Sequence, residues 1–145
     1  MTTSPGGTVV AVTRYVIDAP TLLHVIAEGI EIDAAHQLVA PNIIRSQALT
    51  LLLGAVRAGE LSESEALARH ERMTELKMRL LGDRVSRRTA WKIARDNGWD
   101  TTHDAEYLAV CRLQADALVT VDETLAARAD GIVPVEPLAA LSSPG

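Results

Sequence analysis

The chain has 145 residues, a formal net charge of −5, and 48% hydrophobic against 23% charged residues. This length suits one domain with a buried core, and the composition excludes an intrinsically disordered chain. The longest apolar run, residues 48–56, is too short to cross a bilayer, which takes roughly 18 residues or more. The first residues lack the basic start and apolar segment of a secretory signal, so we expect a cytoplasmic protein with no membrane partner.

The first half of the chain is predicted to contain two strands, each followed by a helix. A β-branched strand at 14–18 precedes a helix that ends near Glu28. A second strand at 37–40 leads into a helix at 42–57 that is apolar on nearly every side. Because packing on a sheet needs only one apolar stripe, the excess predicts a homodimer with this helix in the interface.

The second half contains more helix than strand. Ser62 and Glu65 form a capping box, which predicts a helix that begins there and continues to about Leu81. The other predicted elements are a helix capped by Ser86 that ends at 97–98, a helix capped by Thr101 or Thr102 that ends near 114, strands at 117–121 and 132–135, and a short helix at 123–129.

Strands separated by helices predict an α/β fold with right-handed crossovers. The central sheet should be mainly parallel, with four to five strands, and covered on both faces. We expect a single domain at 14–137, with a flexible tail and the start of the first strand at 1–13 and a C-terminal tail at 138–145. Both ends are rich in Ser, Pro and Gly, so we expect them to be mobile.

Three aspartates stand where a strand-like run gives way to a helix: Asp18, Asp104 and Asp122. The carboxyl ends of parallel strands line one crevice, so these side chains are expected to converge there. Close carboxylates repel one another, and a divalent cation with oxygen ligands relieves the repulsion. Asp104 and Asp122 taken singly also fit as N-cap or first-turn residues of helices, and the joint placement of the three aspartates is what favours a metal site.

Charge is unevenly distributed along the chain. Nine of the 14 basic residues lie at 69–95 beside only three acids, whereas residues 96–145 contain nine acids and two basic residues. A basic segment next to an acidic one suits an enzyme that draws phosphates toward a metal pocket. The alternative is a solvated helix face with i,i+4 ion pairs. Trp91 and Trp99 are expected to pack in the core or at a helix end, so contact with a polyanion would rest on phosphate charge.

The segments YVIDAPTLL, APNIIRSQALTLL and TTHDAEYLAVCRLQADALVTVDETLA resemble the acidic blocks of PIN-domain ribonucleases, in particular the VapC-type toxins of bacterial toxin–antitoxin pairs. The resemblance implies a three-layer α/β/α sandwich, Mg²⁺ or Mn²⁺ held by clustered acids, RNA cleavage, and inhibition by a cognate VapB-like antitoxin. Asp18, Asp104 and Asp122 match the family's acids. Thr120 matches the small hydroxyl residue before the last of them.

Two positions depart from the family pattern. Gln47 stands where the family has a glutamate, and Pro20 stands where it has a serine or threonine, with Thr21 next. Gln47 keeps an amide oxygen that can bind a metal or orient a water, but it removes one negative charge, so a second ion is harder to hold. Glu123 or Glu106 is a candidate substitute acid.

The expected function is therefore a metal-dependent endoribonuclease. Its predicted site consists of Asp18, Asp104, Asp122, Thr120 and Gln47, with the three aspartates as metal ligands. A bound ion would polarise a phosphoryl oxygen and activate a water, so no side-chain nucleophile is needed. The alternative is a PIN-fold module that binds antitoxin or RNA without cleavage.

Overall fold

The structure, a computed structural model, describes residues 12–144. The predicted N-terminal tail at 1–13 falls mostly outside the described residues, and Thr13 already belongs to the first strand. In chain order the elements are β1 (Thr13–Ile17), α1 (Ala19–Glu28), β2 (His36–Pro41), α2 (Ile44–Arg57), α3 (Glu63–Glu75), β3 (Arg79–Leu81), α4 (Arg84–Asn97), α5 (His103–Gln114), β4 (Ala117–Val119), α6 (Glu123–Ala129), β5 (Val135–Glu136) and a 3-10 helix (Leu138–Leu141).

The five strands form one parallel sheet in the order β3-β2-β1-β4-β5. In the central strand β1, Val16 is in register with Val39 of β2 on one side and with Leu118 of β4 on the other. All three side chains are fully buried, as expected for parallel strands covered on both faces. The predicted α/β fold with a parallel sheet of four to five strands is therefore confirmed.

Helices cover both faces of this sheet. The chain passes from β1 to β2 to β3 through α1, α2 and α3, then returns to β4 and β5 through α4, α5 and α6. Because parallel crossovers are right-handed, the reversal puts the two sets of helices on opposite faces. In agreement, α5 packs on α4 and lies against β1, β2 and β4, whereas α1, α2 and α3 pack on one another. Within residues 12–144, no helix has the length and apolar character that crossing a membrane requires.

The strand β3 was not predicted from the sequence. The helix expected to continue to about Leu81 ends at Glu75, and residues 79–81 pair with β2 instead. Leu76 caps the helix with an extended backbone, at φ −71° and ψ 125°. The pairing joins Leu80 to Ala40, far apart in the chain, and a three-residue strand at a sheet edge leaves little local signal.

Two helix starts also differ from the prediction. Asp83 rather than Ser86 caps α4, because its carboxylate accepts a hydrogen bond from the backbone N–H of Ser86 at 2.8 Å. Thr102 holds the N-cap position of α5, but its hydroxyl donates to Glu106 at 3.3 Å instead of capping the backbone. Asp104 lies in the first turn of α5. This helix follows α4 and a loop, and not a strand as the sequence had suggested.

Residues 138–143 were expected to belong to a C-terminal tail, but they pack against the domain. Leu141 is fully buried, and its carbonyl accepts a hydrogen bond from the Asp33 backbone N–H at 2.9 Å. The Ser142 hydroxyl donates to the Glu31 carbonyl at 2.8 Å. The apolar sequence LAAL before these serines explains the difference, because it supplies a side chain that the core can bury.

Candidate active site

The candidate site lies where the strand order reverses. The chain leaves β1 in one direction and β4 in the other, so no crossover covers the crevice between the carboxyl ends of these strands. Asp18 directly follows β1 and is the N-cap residue of α1. Asp122 follows β4 by three residues and caps α6, with Oδ1 accepting from the backbone N–H groups of Thr124 and Leu125 at 2.9 and 3.3 Å. These two predicted aspartates are therefore brought together by the topology.

Asp18 is a buried acid, with only 3% of its surface exposed. Its Oδ2 accepts a hydrogen bond from the Thr120 hydroxyl at 3.0 Å, and its Oδ1 accepts one from the Thr21 hydroxyl. Burial raises the pKa of Asp18 above its usual value, since desolvation disfavours the charged form, and the nearby charge of Asp122 adds to this. The two threonine hydrogen bonds oppose the rise but do not cancel it.

The same two hydroxyls fix the segment after β4. Thr120 Oγ1 accepts the backbone N–H of Asp122, and Thr21 Oγ1 accepts that of Val121, both at 3.0 Å. Each threonine thus joins the Asp18 carboxylate to the segment that presents Asp122. Thr120 was predicted as a site residue, whereas Thr21 was noted only as the neighbour of Pro20. Its position three residues after an N-cap acid is a local signal that could have identified it.

Asp104 reaches the site from α5 and is paired with an arginine that was not predicted. The Arg128 guanidinium donates to Asp104 Oδ2 at 2.9 Å, and both side chains are about one-third exposed, at 38% and 31%. Arg128 also lies over the Trp99 ring, 4.7 Å from its centroid. The sequence gives no sign of this ion pair, because α6 and α5 are separated by β4 and meet only in the fold.

Gln47 is held by a tyrosine. Its Oε1 accepts a hydrogen bond from the Tyr107 hydroxyl at 2.5 Å. Burial raises the pKa of Tyr107, so the phenol stays protonated and remains a donor. Tyr107 stands three residues after Asp104 on α5, so one helix carries both an acid and the group that orients Gln47.

The three aspartates and Gln47 line one open cavity of about 380 Å³. Ile43 and Leu51 form an apolar part of its wall. Neither candidate substitute acid belongs to the lining: Glu106 borders an adjoining cavity, and Glu123 contributes to neither. The structure thus gathers Asp18, Asp104, Asp122 and Gln47 on one cavity, with Thr120 hydrogen-bonded behind them.

The expected cluster of three aspartates around one ion is not seen among the described residues. Within residues 12–144, no three His, Cys, Asp or Glu side chains stand close enough together to hold an ion. Arg128 is paired with Oδ2 of Asp104, and the N-terminus of α6 donates to Oδ1 of Asp122. The carboxylate and amide oxygens on the cavity are nevertheless the donors that Mg²⁺ and Mn²⁺ prefer. The residues fit such an ion in kind, and Arg128 is bonded to one of the two carboxylate oxygens of Asp104.

No protein-family model matches this sequence, and no curated protein sequence matches it. Solved structures do share its fold. The crystal structure of PAE2754 from Pyrobaculum aerophilum superimposes with a TM-score of 0.70 at 22% identity, covering 89% of this chain and 92% of that chain. A structure of VapBC-1 from nontypeable Haemophilus influenzae gives a TM-score of 0.58 at 15% identity, covering 88% of this chain and 99% of that chain. At such identities the similarity concerns the fold, and it confirms that the chain has the PIN-like α/β sandwich implied by its sequence.

Proposed function

We propose that this protein is a metal-dependent endoribonuclease that acts in the cytoplasm as the toxin of a toxin–antitoxin pair. The observation that carries the proposal is the hydrogen-bonded group of residues where the strand order reverses. There, Thr21 and Thr120 connect the buried Asp18 to the segment that contains Asp122. A buried acid with a raised pKa beside a second acid lowers folding stability, so the pair favours a functional role over a structural one.

Asp18, Asp104 and Asp122 would hold the ion, which is Mg²⁺ or Mn²⁺. When bound, the ion supplies Lewis acidity at a phosphoryl oxygen and a more acidic water for attack. Thr120 and Thr21 fix the orientation of the Asp18 carboxylate. Tyr107 fixes the Gln47 amide, leaving its N–H₂ group free to donate to a substrate oxygen or a water. Arg128 neutralises Asp104 as long as no ion is present.

The alternative function is a PIN-fold module that binds an antitoxin or RNA without cleaving it. Two features of the site support it: Gln47 supplies no charge, and Arg128 occupies an oxygen of Asp104. A VapB-like antitoxin is the proposed protein partner in both cases. Its support is the sequence resemblance and the shared fold with VapBC-1.

A homodimer is the other proposed assembly. Leu49 and Leu53 of α2 are exposed by 48% and 55%, and their four-residue spacing puts them on one side of the helix. Exposed leucines grouped on one helix side support an isologous interface, because a second copy would remove them from water.

The nuclease proposal predicts that Asp104→Asn abolishes most RNA cleavage. Loss of outer partners of a metal typically costs 10- to 100-fold, so loss of a ligand should lower the rate by about 100-fold or more. Cleavage of a mixed RNA population in Mn²⁺ measures this, with the exposed Asp130→Asn as the matched control. A wild-type protein that binds Mn²⁺ but leaves RNA intact would support the non-cleaving alternative.

Replacing Arg128 should make the site bind metal more tightly. Arg128→Met keeps an apolar side chain near Trp99 but removes the charge that competes for Asp104. A partly exposed ion pair contributes up to about 1 kcal/mol, so Mn²⁺ affinity should rise about 2- to 5-fold. Calorimetric titration checks it against Arg112→Met, an exposed arginine of α5. Unchanged affinity in Arg128→Met would show that Arg128 does not compete with the ion for Asp104.

Restoring a carboxylate at position 47 should also tighten metal binding. Gln47→Glu adds a charge to the cavity and still accepts from Tyr107, so Mn²⁺ affinity and cleavage should both increase. Gln47→Ala removes no charge and should change affinity only slightly. Calorimetry of wild type and both variants decides the point, and equal affinity in wild type and Gln47→Glu would place residue 47 outside the metal shell.

The dimer proposal predicts a sedimentation mass of about twice the 15.5 kDa subunit at micromolar concentration. Leu49→Glu combined with Leu53→Glu should give a monomer, because two charges would be buried in the interface. Leu113→Glu, on α5 across the sheet, is the control and should leave the mass unchanged. A monomeric wild type would overturn the proposal.

A further inference from the structure

One side of α4 carries a basic surface with an aromatic ring at its centre. We define the α4 basic face by five residues spaced at i, i+3, i+4, i+7 and i+11, so they share one side of the helix. They are Arg84, Arg87, Arg88, Trp91 and Arg95, and all five are exposed.

Trp91 corrects an expectation from the sequence. Instead of packing in the core, its side chain is 65% exposed, the highest value among the exposed large apolar side chains of residues 12–144. The opposite side of α4, with Ala90, Ile93 and Ala94, is buried and supplies the packing on α5. The packing of α4 on the domain therefore does not involve the Trp91 side chain, and burial in the core does not explain a tryptophan at this position.

The arginines of this face are largely without acidic partners. Only Arg95 forms an ion pair, with its neighbour Asp96 at 3.0 Å, and Arg87 donates to the Gly82 carbonyl at 2.7 Å. Among the described residues, Arg84 and Arg88 have no acid within salt-bridge distance. Arg87 also lies near enough to Asp83, four residues before it, for its charge to help lower the pKa of that carboxyl. The positive charge of Arg84 and Arg88 is therefore what this face offers most freely to an anionic partner.

The α4 basic face begins beside the acid cavity. Arg87 lines a cavity of about 200 Å³ that also borders Ile43 and Glu106. Ile43 lines the acid cavity as well, so the two cavities adjoin. A chain of phosphates lying along α4 would therefore end next to the acid cavity.

We propose that the α4 basic face binds single-stranded RNA, with Trp91 stacking on an unpaired base and the arginines contacting flanking phosphates. This deepens the proposed nuclease function by naming the substrate class. An exposed indole offers a flat surface that every unpaired base can use, and neighbouring guanidinium groups supply the charge. Duplex RNA keeps its bases stacked on one another, so it cannot use this ring.

The test measures binding without cleavage. Fluorescence anisotropy of a labelled, unstructured oligoribonucleotide in EDTA reports affinity for wild type, Trp91→Ala and Trp91→Phe. Stacking contributes about 1–3 kcal/mol per base, so Trp91→Ala should weaken binding about 5- to 150-fold, and Trp91→Phe should recover most of the loss. Val85→Ala is the matched control, because Val85 is also exposed on α4 but lies off this side.

Salt dependence tests the arginines separately. Each phosphate contact on a single strand contributes about 0.7 to the slope of log affinity against log salt, so Arg88→Gln should reduce the slope by about that amount. A duplex of the same sequence should bind Trp91→Ala and wild type equally.

Unchanged affinity of Trp91→Ala for the single strand would overturn the proposal, as would an equal loss for the duplex. Trp91→Ala that leaves RNA binding intact but prevents association with an antitoxin would assign this face to a protein partner instead. If wild type binds RNA tightly through Trp91 but does not cleave it in Mn²⁺, this inference holds and the proposed nuclease function is wrong. If wild type cleaves RNA and Trp91→Ala binds it equally well, the nuclease function holds and this inference is wrong.

Discussion

The burial of an ionisable carboxylate at the end of the central strand is the constraint on which the site depends. Asp18 is fixed there because β1 pairs on both sides, so its carboxyl end lies inside the domain. Its raised pKa means that folding favours the neutral acid. The fold is therefore most stable with respect to this group below the ordinary aspartate pKa, where Asp18 is neutral. The free energy of unfolding falls as pH rises through the raised pKa, because the buried side chain then becomes charged. Thr21 and Thr120 reduce this loss, and the same bonds position Asp122.

The charges of the acids around Asp18 are balanced in different ways. Asp122 is stabilised by the N-terminus of α6, and Asp104 is paired with Arg128. Arg128 is in turn held over Trp99. A cation would therefore compete with the Arg128 guanidinium for Asp104, whereas no basic side chain within residues 12–144 is bonded to Asp18. Under the proposed function, this one arginine would link metal affinity to the charge of the site.

The net charge of this protein conceals a strong separation of charge on its surface. The overall value of −5 hides a basic helix on the face that also carries α5, the source of Asp104. Because α4 packs on α5, the basic side and the acid cavity adjoin at Ile43, although Arg84 and Asp18 are far apart in sequence. An acidic pocket next to a basic surface suits a polyanionic substrate better than a uniform charge of either sign would.

Local sequence signals predicted the alternation of strands and helices, the parallel sheet, and the positions of Asp18 and Asp122, whereas Thr120 was singled out by the family resemblance. These signals are sufficient because a β-branched run and an acid at a helix start act within a few residues. The edge strand β3 was missed, since its pairing with β2 is a long-range contact. The packing of the C-terminal segment was missed for a related reason. Leu141 is buried by residues distant in the chain, so its burial is visible only in the assembled core.

The chemistry of the site divides in the same way. The sequence determined which acids, hydroxyls and amide are available, and it placed Asp18 and Asp122 after strands whose carboxyl ends must meet. Only the tertiary structure decided that Arg128 pairs with Asp104 and that Trp91 faces solvent. Helical periodicity gives the side of a helix on which a residue lies, but packing on α5 decides which side becomes buried. Contacts between elements distant in the chain therefore set the final electrostatics of the site.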